Sequence, residues 1–385
     1  MFRPGRIHRS LRGFGKLTPL PLTSYAVAAL NYENVPCVVK QKHNLATNLY
    51  TVMRYSYMCI ASSSIIIGWY YRKRMQLFTQ NLERMDEVFE CLGLKKNYYK
   101  SFKEILCIVS IFIIIIVLLF IQAVHLRISV ANKPNFMQII LCSSINSLPM
   151  FACTLVDLTF GIALRCIRAR FMNINHLLRK GFCEYPIHPF FNKNEIYDIK
   201  DFQFRTNLNS TNFEKIKHVM ELLKQIHLEL CKLAREVNQM FGVHLTLHIT
   251  LIFMVTTVCL FNIITIYLSP PTKFKYGMII YLLVYVTSCL LKLLHNNIVC
   301  LLTSNETHKT EEILLDMKLL RKNYTIIREI DLFYQQITLR PLKFTTCGFR
   351  TLGVNFIYNF LGAVVTYLLI LIKMDQEGGG KAAYS

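Results

Sequence analysis

The chain has 385 residues, of which 53% are hydrophobic and 17% charged, and its mean hydropathy is +0.34. Those proportions exclude an ordinary soluble domain. Its formal charge of +21 would suggest a nucleic-acid partner in a soluble chain, but here the basic residues are partitioned by loop as membrane topology requires, so no nucleic acid is expected.

A bilayer crossing takes about 20 largely apolar residues. Residues 1–46 hold a basic N-terminus, with Arg3, Arg6, Arg9, Arg12 and Lys16, followed by a short apolar run at 17–30 that ends at Asn31, Glu33, Asn34 and Pro36. This is a weak or truncated first span. Prolines follow the basic stretch instead of an apolar core and cleavage site, so no secretory signal is read and the N-terminus is expected to be retained. Six firm spans follow at about 47–71, 104–126, 137–165, 244–269, 277–302 and 353–373.

Loop charge orients them. Loops 72–103, 166–243 and 304–352 hold 8, 12 and 8 Lys and Arg, whereas loops 127–136 and 269–276 hold 2 each. The first group is expected in the cytoplasm, most firmly the loop whose Arg72, Lys73 and Arg74 abut a span. The basic N-terminus then also lies inside, and the expected fold is an all-α membrane protein of seven transmembrane helices with its N-terminus cytoplasmic and its C-terminus outside. Spans two to four occupy 47–165, a cytoplasmic segment 166–243, spans five and six 244–302, a second cytoplasmic segment 303–352, the last span 353–374 and a tail 375–385. Gly378, Gly379, Gly380, Lys381, Ala382 and Ala383 read as low-complexity linker, and neither end is taken as native sequence.

The cytoplasmic segments are patterned. Ile216, Val219, Leu223, Ile226, Leu230, Leu233, Val237 and Met240 repeat at 3,4 spacing, a coiled-coil-like seam. Ile313, Met317, Leu320, Tyr324, Ile327, Tyr334 and Ile337 fall close to one helical face. Two long helices are therefore expected to carry the neighbouring spans inward. The stripes could pack within one chain or between chains.

Thirteen cysteines lie mostly in spans or cytoplasmic loops, with none in the two short outer loops, so no disulfide framework is expected. The sequons at Asn209, Asn305 and Asn323 all fall in loops assigned to the cytoplasm and should carry no sugar. His244 and His248 share a helical face at metal-ligand spacing, but no nearby carboxylate or thiolate completes a set, and neither a metal nor a cofactor is expected. No HExxH, supported GxSxG or glycine-rich phosphate loop occurs, so the chain is not read as an enzyme. Among intramembrane ionisable residues, Asp157 and Lys292 are expected to make structural bonds or reach water, while Arg54 either snorkels or meets a ligand.

A ligand site needs an apolar concavity with a few polar groups. The outer halves of spans two to six offer Tyr50, Arg54, Tyr57, Gln122, His125, Asn146, Asn262, Thr265, Tyr281 and Tyr285.

The most specific block runs from Gln335 to Ile372: Pro341, Phe344, Thr345, Cys347, Gly348 and Phe349 lead in fixed order to Gly362, Ala363, Thr366 and Tyr367. It resembles the carboxy-terminal signature of insect gustatory receptors, which are related to the insect odorant receptors and their co-receptor. The resemblance covers about 47–374 and is specific in the last third. It implies a tetrameric ligand-gated, non-selective cation channel of the plasma membrane, opened by a sugar or bitter tastant, working as a homotetramer or with other gustatory receptors. It also implies an anchor domain at the cytoplasmic ends of the later spans, where Ala234, Asn238, Phe241 and Gly242 and Thr310, Glu311 and Ile313 match, and a tastant pocket among spans two to six.

The last span would line the pore. Gly362 and Ala363 allow close packing, and Ile370 and Met374 match the ring that closes the pore in similar receptors, with Thr366 and Tyr367 just below, facing the pore or a helix interface. The family pattern has Gln and then usually Phe where this chain has Lys373 and Met374. Four ammonium groups around a pore exit would oppose cations; a Lys373 that snorkels into headgroups would not. Other readings are a G-protein-coupled-type receptor, which needs the opposite topology and DRY or NPxxY motifs that do not occur, a transporter, which needs two similar halves, and a non-conducting or partner-dependent subunit.

Overall fold

The computed structural model of the chain describes residues 45–94, 98–130, 136–180, 210–270, 275–320, 324–348 and 350–382. Within them lie eight α-helices and one two-stranded ribbon. The helices are α1 (Leu45–Tyr70), α2 (Arg72–Cys91), α3 (Tyr98–Val130), α4 (Phe136–Leu178), α5 (Ser210–Leu268), α6 (Lys275–Leu320), α7 (Tyr324–Leu339) and α8 (Val354–Ala382). Five of them, α3 to α6 and α8, are long and apolar enough to cross a membrane. The short run at 17–30 lies outside the described residues.

Length decides how the bundle is divided. At 1.5 Å per residue the 59 residues of α5 extend about 90 Å, and the hydrocarbon core is about 30 Å thick. More than half of α5 must project beyond the bilayer, and α4 and α6, with 43 and 46 residues, project as well. The long inward helices expected at 216–240 and after 302 are thus direct continuations of spans.

Two cores follow from this division. One lies between the spans and joins Tyr57, Ile60 and Ala61 of α1, Cys153 of α4, Leu251, Val255 and Cys259 of α5, Cys289 and Leu293 of α6, and Phe360 and Val364 of α8. The other lies in the extended end, where Phe78, Leu82 and Phe89 of α2 meet Phe171 and Ile174 of α4, the α5 seam, Ile313 and Met317 of α6, and Ile330 and Phe333 of α7. Between α2 and α4 the Arg170 guanidinium grips both carboxylate oxygens of Asp86 in a fork, with Nε 3.0 Å from Oδ1.

The heptad seam is buried inside this one chain: Leu223, Leu230 and Val237 are fully enclosed and Ile226, Leu233 and Met240 nearly so. The second stripe needs correction. Residues 311–340 do not form one helix with one face. The chain reverses between Leu320 and Tyr324, and α7 returns antiparallel along α6, as the pairs Lys318 to Asp331 (2.7 Å) and Glu311 to Thr338 (3.2 Å) show. The reversal resets the register, so Leu320 and Tyr324 are exposed while Ile326, Ile330, Phe333 and Ile337 carry the buried face.

Candidate functional site

The signature block builds a small clamp ahead of α8. Thr345 and Thr346 pair antiparallel with Thr351 and Arg350, and the turn between them places Cys347 and Gly348 at φ +47° and +81°. Glycine tolerates that left-handed conformation without steric cost. The Asn238 side chain of α5 reads the ribbon: its Oδ1 accepts from the Thr345 N–H (3.3 Å) and its Nδ2 lies 3.5 Å from Thr345 Oγ1. Ser304 of α6 donates to the Leu342 carbonyl (2.7 Å), and the Gly353 N–H donates to Asn297 Oδ1 (3.1 Å). The start of α8 is therefore fixed to α5 and α6 by hydrogen bonds that the motif residues and their neighbours supply.

Beyond this clamp α8 is sparsely covered. Phe356, Phe360 and Val364 pack inward, and Phe360 and Tyr367 both meet the Phe253 ring of α5 edge-on, at 5.9 and 5.4 Å. Tyr367 thus stands at a helix interface. On the other side Asn355, Asn359, Gly362, Thr366 and Lys373, at spacings of 4, 3, 4 and 7, run down an exposed face. Ile370 (47% exposed) and Met374 (55% exposed) flank that stripe, between it and the packed face. The Thr366 hydroxyl is spent on the Gly362 carbonyl (3.0 Å), which masks its polarity. α8 also runs past Met374 through the glycines to Ala382, where a linker was expected.

α3 is equally bare, but its exposed residues are Leu106, Ile111, Ile113, Ile114, Val117, Leu118 and Ile121, a surface suited to lipid. Two asparagines and a lysine on the α8 stripe are not. Asn355 and Asn359 were not singled out from sequence, although their heptad relation to Thr366 and Lys373 was there to be read.

Of the expected ligand residues, the structure brings three together. Tyr57, 6% exposed, has its hydroxyl 3.8 Å from Cys289 Sγ, and Tyr281 and Tyr285 stack along α6 at 6.1 Å and 19°. Tyr57 also shares a hydrogen bond with Tyr285. Gln122 of α3 is half-buried with its Oε1 unpartnered, Asn262 is half-buried, and His125 is exposed. The Arg54 and Asn146 side chains are outside what the structure describes.

A second constellation lies deeper, where α1, α4, α5 and α6 cross. Asp157 Oδ1 accepts from Asn296 Nδ2 (3.1 Å) and lies 3.3 Å from His244 Nε2, and Oδ2 is 2.9 Å from His248 Nδ1. Ser64 completes the ring: its Oγ is 2.6 Å from His244 Nδ1 and donates to the Ile60 carbonyl (2.6 Å). This corrects the expectation that no carboxylate stands beside the histidine pair. Asp157 is distant in sequence, and only helix packing brings it there.

Asp157, His244 and His248 offer ligand atoms within 4.8 Å of one another, a possible metal set. Charge argues against it. Lys292, buried and without a hydrogen-bond partner among the described residues, lies close enough to act on His248. A divalent cation would leave one carboxylate to offset three positive charges inside a membrane. The cluster is read as a polar junction that ties four helices together.

The profile of the family described as 7tm Chemosensory receptor matches residues 22–378. The chain belongs to that family. The receptor also matches the solved structure of the insect olfactory receptor OR5 from Machilis hrabei, with a TM-score of 0.63 at 10% identity over 97% of this chain and 92% of that one. It matches the same olfactory receptor in complex with eugenol at a TM-score of 0.63 and 12% identity, over 96% of this chain and all of that one. At such identities the likeness establishes the fold. No curated protein matches the receptor. It is a multi-pass plasma-membrane receptor and not an enzyme.

Proposed function

We propose that the receptor is a subunit of a ligand-gated cation channel in which α8 from four chains surrounds the pore. The observation that carries this reading is the stripe Asn355, Asn359, Gly362, Thr366 and Lys373 on the exposed face of an otherwise apolar membrane helix. Such a stripe is costly against lipid and favourable against water. Gly362 has open space around its Cα, so neighbouring helices can approach there. Ile370 and Met374 supply apolar bulk for a gate.

The ligand is a small molecule, and its site is the aromatic cluster of Tyr57, Tyr281 and Tyr285 with Gln122 and Asn262 as polar edges. Eugenol in the olfactory receptor complex supports a small aromatic-compatible site in this fold. The carboxy-terminal signature favours a gustatory receptor and a tastant, sugar or bitter. The basic loops favour a cytoplasmic N-terminus, with the extended end inside the cell. The seam buried within one chain leaves subunit contacts to α8 and the outer surfaces of the extended end.

Whole-cell current from cells expressing the receptor alone, against a panel of sugars and bitter compounds, tests this reading in the wild type and Lys373→Gln. A ligand-evoked cation current in either form supports it, and current only with Gln places the block at the pore exit. Surface tetramers silent in both forms, alone and with other gustatory receptors, would contradict it.

A further inference from the structure

A narrow crevice opens between α3, α4 and α6 where the spans give way to the extended end. Its walls are Ile105, Ile108 and Val109 of α3 and Leu158 and Ile162 of α4, and at one end stand Arg165 of α4 and His295 of α6. Nε of Arg165, Nε of Arg168 one turn further on, and Nε2 of His295 are all buried with no hydrogen-bond partner among the described residues. Buried polar groups are seldom left unpaired.

His295 is held in place deliberately. Its ring meets Phe112 edge-on at 5.6 Å, and a Cβ on Gly161 would stand 2.4 Å from Nε2, so only glycine at 161 leaves room for the imidazole. The nearby acids do not fill the need. Glu306 is engaged by Arg168 (3.6 Å) and Lys309 (3.1 Å), and Glu104 acts on Arg165 only at longer range. The α3 residue beside the crevice, Leu106, is exposed toward the lipid side.

A slot that is apolar along its length, open to hydrocarbon, and cationic at the end nearest the basic loops has the chemistry of an amphiphile with a negative head. We propose that it binds an anionic phospholipid of the cytoplasmic leaflet, whose phosphate takes the Arg165 and His295 donors while an acyl chain lies along Ile105, Ile108 and Val109. Anionic lipids concentrate in that leaflet, and basic pockets between spans on that side are suited to their headgroups. The lipid would hold α3 against α4 and α6 beside the polar junction of Asp157. The leaflet assignment rests on the orientation proposed above; the site itself does not.

The test uses the purified full-length receptor in neutral detergent, where neither leaflet nor channel activity enters. Thermal unfolding is followed against dioctanoyl phosphatidylinositol bisphosphate, dioctanoyl phosphatidylcholine and soluble inositol trisphosphate. The anionic lipid should raise the melting temperature and the other two should not. Arg165→Gln should raise the half-saturating lipid concentration about tenfold, the loss of one charge-assisted hydrogen bond. Lys343→Gln, which removes the same charge from an exposed site, should leave it unchanged. Ile108→Trp should block the apolar slot without touching charge, and it serves if Arg165→Gln does not fold.

Equal stabilisation by inositol trisphosphate would mean a soluble phosphate site and overturn the lipid assignment. No stabilisation of the wild type, or equal loss in Arg165→Gln and Lys343→Gln, would overturn the site. A wrong orientation would show separately, as sugar on Asn305.

Discussion

Removing the Asp157 carboxylate should be among the most damaging single changes in the membrane core. In Asp157→Ala the Asn296 amide and His244 Nε2 lose their acceptor at 3.1 and 3.3 Å, and His248 loses its 2.9 Å contact. Hydrogen bonds to a charged group contribute about 1.5–3 kcal/mol each, and stripping one member from a buried ionic network costs about 3–5 kcal/mol. The second figure is the better guide, because the partners left behind are fully enclosed and Lys292 loses its only nearby counter-charge. Asp157→Asn keeps one acceptor oxygen and the volume, so it should cost roughly half as much. Fluorescence-detected size exclusion after graded heating measures both. Coupling should also appear: His248→Leu should cost less in the Asp157→Ala background than in the wild type. If Asp157→Ala loses no more than the about 0.5 kcal/mol of an ordinary surface change, the junction does not tie the helices and the reasoning fails.

Other expectations are shorter. Leu230→Ala, at a fully enclosed position of the seam, should destabilise each subunit by about 2–5 kcal/mol without changing the subunit count seen by native mass spectrometry, since the seam is filled within the chain. Arg170→Lys should unfold at clearly lower temperature than wild type, because an ammonium cannot reproduce the guanidinium fork on Asp86. Gly348→Ala should lower surface expression, since φ of +81° costs an L-residue about 1–2 kcal/mol, and Asn238→Ala should do likewise by freeing the Thr345 ribbon. Asn305 and Asn323 should show no endoglycosidase-sensitive shift; a shift on either would reverse the orientation.

Much of the architecture was legible because the forces that set it are local in sequence. Spans are runs of apolar residues, and the seam from Val219 to Met240 is a strict heptad, so both could be read without tertiary information. The face predicted from Ile313 to Ile337 failed for a physical reason: periodicity carries across a break of a few residues only if the helix continues, and the turn after Leu320 reset the phase. The Asp157 junction was invisible for another reason. Its members are separated by more than 80 residues in the chain, and each alone looks like an isolated intramembrane polar residue. The tyrosines at 57, 281 and 285 were named from their depth and composition, yet only packing shows that Tyr57 reaches α6. Asn355 and Asn359 lay within reach of the same heptad reasoning that placed Thr366 and Lys373.

The claim that matters most is that the Asn355 to Lys373 face of α8 meets water in a pore. Single cysteines at Asn355, Asn359, Thr366 and Ile370, and at Leu361 and Val365 on another exposed face of α8, can be probed with a charged, membrane-impermeant thiol reagent during ligand-evoked current, with the parent chain as control for its own cysteines. The account predicts rapid, irreversible block at Asn355, Asn359 and Thr366, block at Ile370 only in the open state, and none at Leu361 or Val365. Block at Leu361 and Val365 with no effect along the asparagine stripe would contradict it.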